Sequence, residues 1–142
     1  MEDIIETITH LLQRQEERTV ATQKAIGENL YRQLEALISI TSLLPLRHPL
    51  PPMRGWAISP DFGVLLISEI LKKKPQLVLE LGSGVSTLLT ACCLEKAGHG
   101  RVISFDHDEQ YCVQSRETIR EHGLGDIAEI VHVPLREVQL NQ

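Results

Sequence analysis

Glu80, Gly82, Ser83, Gly84 and Ser86 stand close together in the stretch Val78-Leu79-Glu80-Leu81-Gly82-Ser83-Gly84-Val85-Ser86-Thr87, and Asp106 lies 22 positions beyond Gly84. A strand that passes through two glycines straight into a helix turns sharply and lets a ligand approach with no Cβ in the way. The helix behind the turn aims free N–H groups and its positive end at whatever lies over it. A carboxylate ending the next strand can accept both hydroxyls of a ribose lying across the strand ends. Together these features describe a site for an adenosine-containing ligand. Glu80 bears on that ligand's charge, because an acid beside the turn repels a pyrophosphate and suits a cation. The dinucleotide fingerprint G-x-G-x-x-G also lacks its third glycine, since Thr87 occupies that position.

The elements that must position these groups follow from periodicity. Leu77 to Leu81 reads as a short apolar strand, Ser86 to Lys96 as a helix ended by Gly98-His99-Gly100, and Arg101 to Phe105 as a second strand. Asp108 to His122 forms a second helix, with Asp108 as the capping residue. Gly123 to Asp126 is a loop, and Ala128 to Val133 a third strand. Strands joined by helices of this length build right-handed crossovers on a parallel sheet, here β-α-β-α-β. Upstream, Ser59-Pro60-Asp61 opens another helix, with Ser59 as N-cap and Pro60 at the first position. Lys72, Lys73 and Lys74 suit its C-terminus, and Pro75 stops it.

Five of the seven prolines fall between Pro45 and Pro60, dividing the chain into a helical arm (1–44), a proline-rich linker (45–60) and an α/β portion (61–142). The linker is expected to be extended, with Trp56 anchoring it against the domain. In the arm, Ile5, Ile8, Leu12, Ile26, Leu30, Leu34, Leu37 and Leu44 recur at helical spacing, and Leu30, Leu34, Leu37, Thr41 and Leu44 trace a heptad seam. The spacing predicts one long helix, with Gly27 as the place for a kink. Its stripe needs a partner, either the domain that follows or a second copy in a coiled-coil homodimer.

Composition bounds the function. The chain has 142 residues, 42% hydrophobic and 23% charged, and a formal charge of −5. The one short basic run, Lys72 to Lys74, is explained by its helix end, so nucleic acid is not expected as a partner. No apolar run approaches a membrane span, and the acidic, amphipathic start MEDIIETITH does not read as a signal peptide. Cys92, Cys93 and Cys112 match no metal or redox spacing and read as buried thiols, so the expected location is the cytoplasm. His48, His99, His122 and His132 form no metal-ligand constellation and read as structural or exposed, and no metal is expected.

With those residues in view, the sequence resembles the class I S-adenosylmethionine-dependent methyltransferases, whose first motif is roughly E/D-x-G-x-G. Glu80-Leu81-Gly82-Ser83-Gly84 matches that motif, Ser86 stands where a third small residue often occurs, and Asp106 matches the acid ending the second strand. The flanks Arg54 to Asp61 and Ser104 to Tyr111 look like bacterial members that modify small molecules or glycans, and the resemblance spans about residues 54–135. It implies a Rossmann-like fold and S-adenosylmethionine as cofactor. It further implies that Gly82, Ser83 and Gly84 pass beneath the methionine part and that Glu80 holds the amino group. Asp106 would take the ribose, and His107 would lie beside the adenine. The acceptor would be a small molecule or a glycan.

In such families the catalytic groups usually follow the fourth strand, so no catalytic residue is assigned here. With the usual strand order 3-2-1-4-5, the strand 77–81 would be central, and without a fourth strand it would offer an open edge. Either another chain covers that edge or, as is expected, these residues are the front portion of a longer enzyme. Two other readings stay open on the residues themselves: a fragment of an NAD-dependent oxidoreductase, and a non-catalytic module whose helix and sheet edge serve assembly.

Overall fold

The computed structural model describes residues 2–137, which form two compact units, one up to Glu35 and one from Ala36 onward. Helix α1 (Glu2–Leu43) runs through Gly27 without a break. In the first unit Ile5, Ile8, Leu12, Ile26, Leu30 and Leu34 are all exposed. Three threonines at intervals, Thr9, Thr19 and Thr22, return their hydroxyl protons to the carbonyl four residues earlier, a habit that satisfies the hydroxyl without adding tertiary contact.

The second unit begins with the last turns of α1, where Ala36 and Ile40 are buried, as is Leu44 just beyond the helix. Of the seam residues in this unit Leu44 is buried, Leu37 half-buried and Thr41 exposed, so the packing face only partly follows the seam and is displaced from it toward Ala36 and Ile40. The next segment is irregular, as its prolines require, and Leu46, Leu50, Met53, Ala57 and Ile58 lean on the core. Trp56 does not: it follows Gly55 (φ 70°) and is 98% exposed. The expected anchor is therefore supplied by the smaller apolar residues around it.

Helix α2 (Pro60–Lys73) starts at Ser59, but the Ser59 hydroxyl donates to Asp61 Oδ1 (2.5 Å) and caps no backbone amide. At the other end Lys74 adopts the left-handed conformation (φ 47°, ψ 56°) and its N–H reaches the Ile70 carbonyl, before Pro75 ends the helix. Strand β1 (Leu77–Leu81), helix α3 (Val85–Ala97), strand β2 (Arg101–Asp106), helix α4 (Glu109–Glu121) and strand β3 (Ala128–His132) follow. The sheet is parallel in the order β1-β2-β3, with Glu80 beside Ser104 and Asp106 beside His132.

Alternation along the strands divides the two faces of the sheet. Val102, Ser104 and Asp106 of β2 and Ala128 and Ile130 of β3 are buried toward a core shared with Ile67, Leu88, Leu89, Cys92, Cys112 and Ile119 from the helices. On the other face Leu77, Leu79 and Leu81 of β1 are exposed, Leu79 at 64% and Leu81 at 91%. Parallel sheets are ordinarily covered on both faces. Among the described residues, β1 and β3 each pair with β2 alone, so both edges of the sheet are open, that of β1 among them.

All three cysteines are buried free thiols. Burial pushes Cys92 up to about 11 and Cys93 up to about 12, which makes both inert as nucleophiles. No described helix is long and apolar enough to cross a membrane.

Behind α3 and α4, Arg47 bridges the Glu95 carboxylate (2.6 Å) and the His122 carbonyl, and Lys96 donates to the Leu43 carbonyl (2.7 Å). His122 is buried, with Nδ1 2.9 Å from the Thr118 carbonyl and Nε2 3.2 Å from that of His48. These contacts fasten the end of α1 and the segment after it to the C-terminal ends of α3 and α4.

Candidate functional site

The turn between β1 and α3 takes its shape from two glycines in conformations closed to other residues, Gly82 at φ 90° and Gly84 at φ 155°. A Cβ built on either would meet nothing within 4 Å. The space above the turn is therefore open, as close approach by a ligand requires.

Each polar group of the turn that faces the protein is held by a neighbouring element. Gly82 donates its N–H to the Phe105 carbonyl (2.8 Å) and receives the Ser104 hydroxyl on its own carbonyl (2.9 Å). Ser83 gives Asp106 Oδ2 both its amide proton (2.6 Å) and its hydroxyl proton (2.9 Å). Gly84 donates to Thr87 Oγ1 (3.1 Å), and Thr87 in turn donates to Glu80 Oε2 (2.5 Å). The result is a loop whose backbone is fixed from both sides while its outer surface stays clear.

Asp106 is 7% exposed, and its Oδ1 accepts the Asp108 amide (3.0 Å). His107 is exposed, with Nδ1 3.6 Å from Asp106 Oδ1. Burial pushes the Asp106 carboxyl up, but hydrogen bonds from the Asp108 and Ser83 amides and the Ser83 hydroxyl, with the charge of His107, outweigh it. The group ends below its ordinary value of 3.8. A carboxyl depressed in the folded chain stabilises it above the unfolded value, and that contribution is lost as pH falls through the folded value. The thermal midpoint of the chain is therefore expected to drop more steeply below about pH 4 than that of Asp106→Asn, which takes up no proton. Parallel profiles for the two proteins would contradict the depressed carboxyl.

The structure thus brings Glu80, Gly82, Ser83, Gly84 and Asp106 together around one turn, with His107 at its rim. Ser86 is half-buried in the first turn of α3, and its side chain makes no hydrogen bond among the described residues. Asp108 caps α4, accepting from the Gln110 and Tyr111 amides. Two participants escaped the sequence reading, Thr87 and Ser104, both fully buried. A hydroxyl at the third position of a helix behind a glycine turn is a signal for the first. A lone serine inside an apolar strand is a signal for the second.

No family model and no curated protein sequence matches the chain. Solved structures do. Rv0187 from MTB, in a cofactor-bound form, is 24% identical with a TM-score of 0.51, over 74% of this chain and 43% of that one. The SAH-bound methyltransferase PaMTH1 of Podospora anserina is 21% identical with a TM-score of 0.51, over 72% and 41%. A Klebsiella pneumoniae protein proposed to be an O-methyltransferase is 20% identical with a TM-score of 0.52, over 74% and 43%. The chain spans less than half the length of each. Its architecture is that of the first part of a Rossmann-like class I methyltransferase fold.

Proposed function

We propose that the chain is the cofactor-binding portion of an S-adenosylmethionine-dependent methyltransferase. The observation that carries this reading is the pairing of two carboxylates with one glycine turn: Asp106 fixed to the turn through Ser83, and Glu80 fixed to it through Thr87. The donor set suits this cofactor. Asp106 has three protein donors on a carboxylate that offers about four acceptor positions, which leaves Oδ1 for a ribose hydroxyl. Glu80 has protein contact at Oε2 and leaves Oε1 for an ammonium group. Gly82, Ser83 and Gly84 let the thioether chain lie on the backbone, Ser86 lies in the first turn of the helix beneath it, and His107 borders the adenine.

Bound S-adenosylmethionine supplies an electrophilic methyl group. The work of these residues is to hold its carrier still, so that an acceptor lone pair can be aligned with the methyl at near-attack distance. The acceptor we propose is a small molecule or a glycan, because the acidic balance of the chain disfavours nucleic acid. The open edge of β1 and the apolar face of Leu77, Leu79 and Leu81 are where the remaining strands and helices of such a fold would pack, and acceptor binding and any base would come from there.

For the functional organisation we propose an arm to residue 44, a connector over 45–60 and the cofactor-binding portion from 61. The exposed stripe from Ile5 to Leu34 would be covered by a second copy in a coiled-coil homodimer. The three buried free thiols favour a cytoplasmic setting.

Calorimetric titration with S-adenosylhomocysteine, with NAD run in parallel, tests the reading. Selective binding of the first at micromolar concentrations is expected. Binding of NAD alone would replace the assignment with an oxidoreductase fragment.

A further inference from the structure

Thr87 is fully buried, and both functions of its hydroxyl are committed. Its one proton goes to Glu80 Oε2 at 2.5 Å, and its lone pair receives the Gly84 amide at 3.1 Å. The residue therefore ties the carboxylate at the end of β1 to the glycine turn and to the first turn of α3 at once. The other carboxylate oxygen of Glu80, Oε1, has no partner among the described residues.

A glutamate carries three rotatable bonds, and ordering such a side chain costs conformational entropy. A group ordered before the ligand arrives does not charge that cost to binding. In a dinucleotide site, glycine at this position serves close packing of the helix on the strand. Here the position holds a side chain whose hydroxyl reaches back to the strand, and the turn's own amide completes the bridge.

We propose that Thr87 is a positioning residue that presets Glu80 for the cationic end of the ligand, so that it governs preference for adenosine thioethers carrying an ammonium group over those without one. This rests on the cofactor reading given above. Thr87 itself touches no ligand; it acts through Glu80.

The test compares S-adenosylhomocysteine with 5′-methylthioadenosine, which keeps the adenosine and the thioether but lacks the amino acid, on the 142-residue chain and its variants. Thr87→Val keeps the shape and removes the hydroxyl, and Thr87→Ala removes it without the second methyl, in case valine unfolds the chain. Thr87→Ser keeps the hydroxyl. In the hydroxyl-free variants, affinity for S-adenosylhomocysteine is expected to fall about tenfold and affinity for 5′-methylthioadenosine less than about twofold. Thr87→Ser should stay near wild type, and adding Thr87→Val to Glu80→Gln should bring no further loss.

A residue that merely supports the turn would weaken both ligands alike. Equal losses, or no loss, would overturn the proposal while leaving the cofactor reading in place. A wild-type chain that binds neither ligand would overturn the cofactor reading, and the role of Thr87 with it.

Discussion

Replacing Asp106 by alanine is expected to weaken S-adenosylhomocysteine binding at least tenfold, about 1.4 kcal/mol, and to destabilise the chain by about 3 kcal/mol. The two losses have separate causes. Binding suffers because the acceptor placed for the ribose is gone. Stability suffers because the carboxylate also receives the Ser83 amide, the Ser83 hydroxyl and the Asp108 amide. Removing it leaves two backbone donors without partners beside a buried position, at roughly 1–3 kcal/mol each. Asp106→Asn separates the effects, since its single carbonyl oxygen can keep part of this network while the charge is lost. Urea unfolding gives the stability and calorimetry the affinity. An unchanged dissociation constant in Asp106→Asn would remove this residue from the ligand site whatever it does for the fold.

The second large effect lies away from the site. Gly100 turns the chain from α3 into β2 at φ 90°, and a Cβ there would stand 2.5 Å from the Pro75 carbonyl and 3.0 Å from Leu94 Cδ2. The carbonyl belongs to the backbone that leads into β1, so relief requires moving the start of a strand. Gly100→Ala is expected to cost on the order of 3–4 kcal/mol, from the left-handed conformation and the clash together. Gly98→Ala is the natural comparison. Gly98 caps α3 at φ 75° with nothing within 4 Å of an added Cβ, so the expected cost is the conformational share alone, about 1 kcal/mol. Equal losses for the two substitutions would show that the contact with Pro75 is relieved cheaply.

What could be read from the sequence, and what could not, divides along physical lines. The strand–turn–helix at Leu77 to Ala97 was legible because two glycines flanked by an apolar run and a helical run admit few alternatives. Asp106 was legible as the acid at the end of the next strand, and Asp108 as its capping neighbour. Thr87 and Ser104 were not, because a hydroxyl's partner is set by three-dimensional approach and not by spacing. Trp56 misled for the opposite reason: its size suggests burial, yet the turn at Gly55 presents it to solvent. At the end of α1, Leu37 and Thr41 of the heptad seam and the buried pair Ala36 and Ile40 lie on neighbouring stripes of one helix. The core against which residues 36–44 pack selects between them, and periodicity alone does not.

The central claim is that the turn at Gly82 to Gly84, with Glu80 and Asp106, holds an S-adenosyl ligand. At 142 residues the chain suits residue-resolved NMR, and a titration with S-adenosylhomocysteine examines that claim most directly. The expected result is saturable shifts concentrated in the backbone amides of Gly82, Ser83, Gly84, Asp106 and His107, lost in Asp106→Asn. Shifts confined to other parts of the chain, or none at concentrations where the ligand is in large excess, would contradict it.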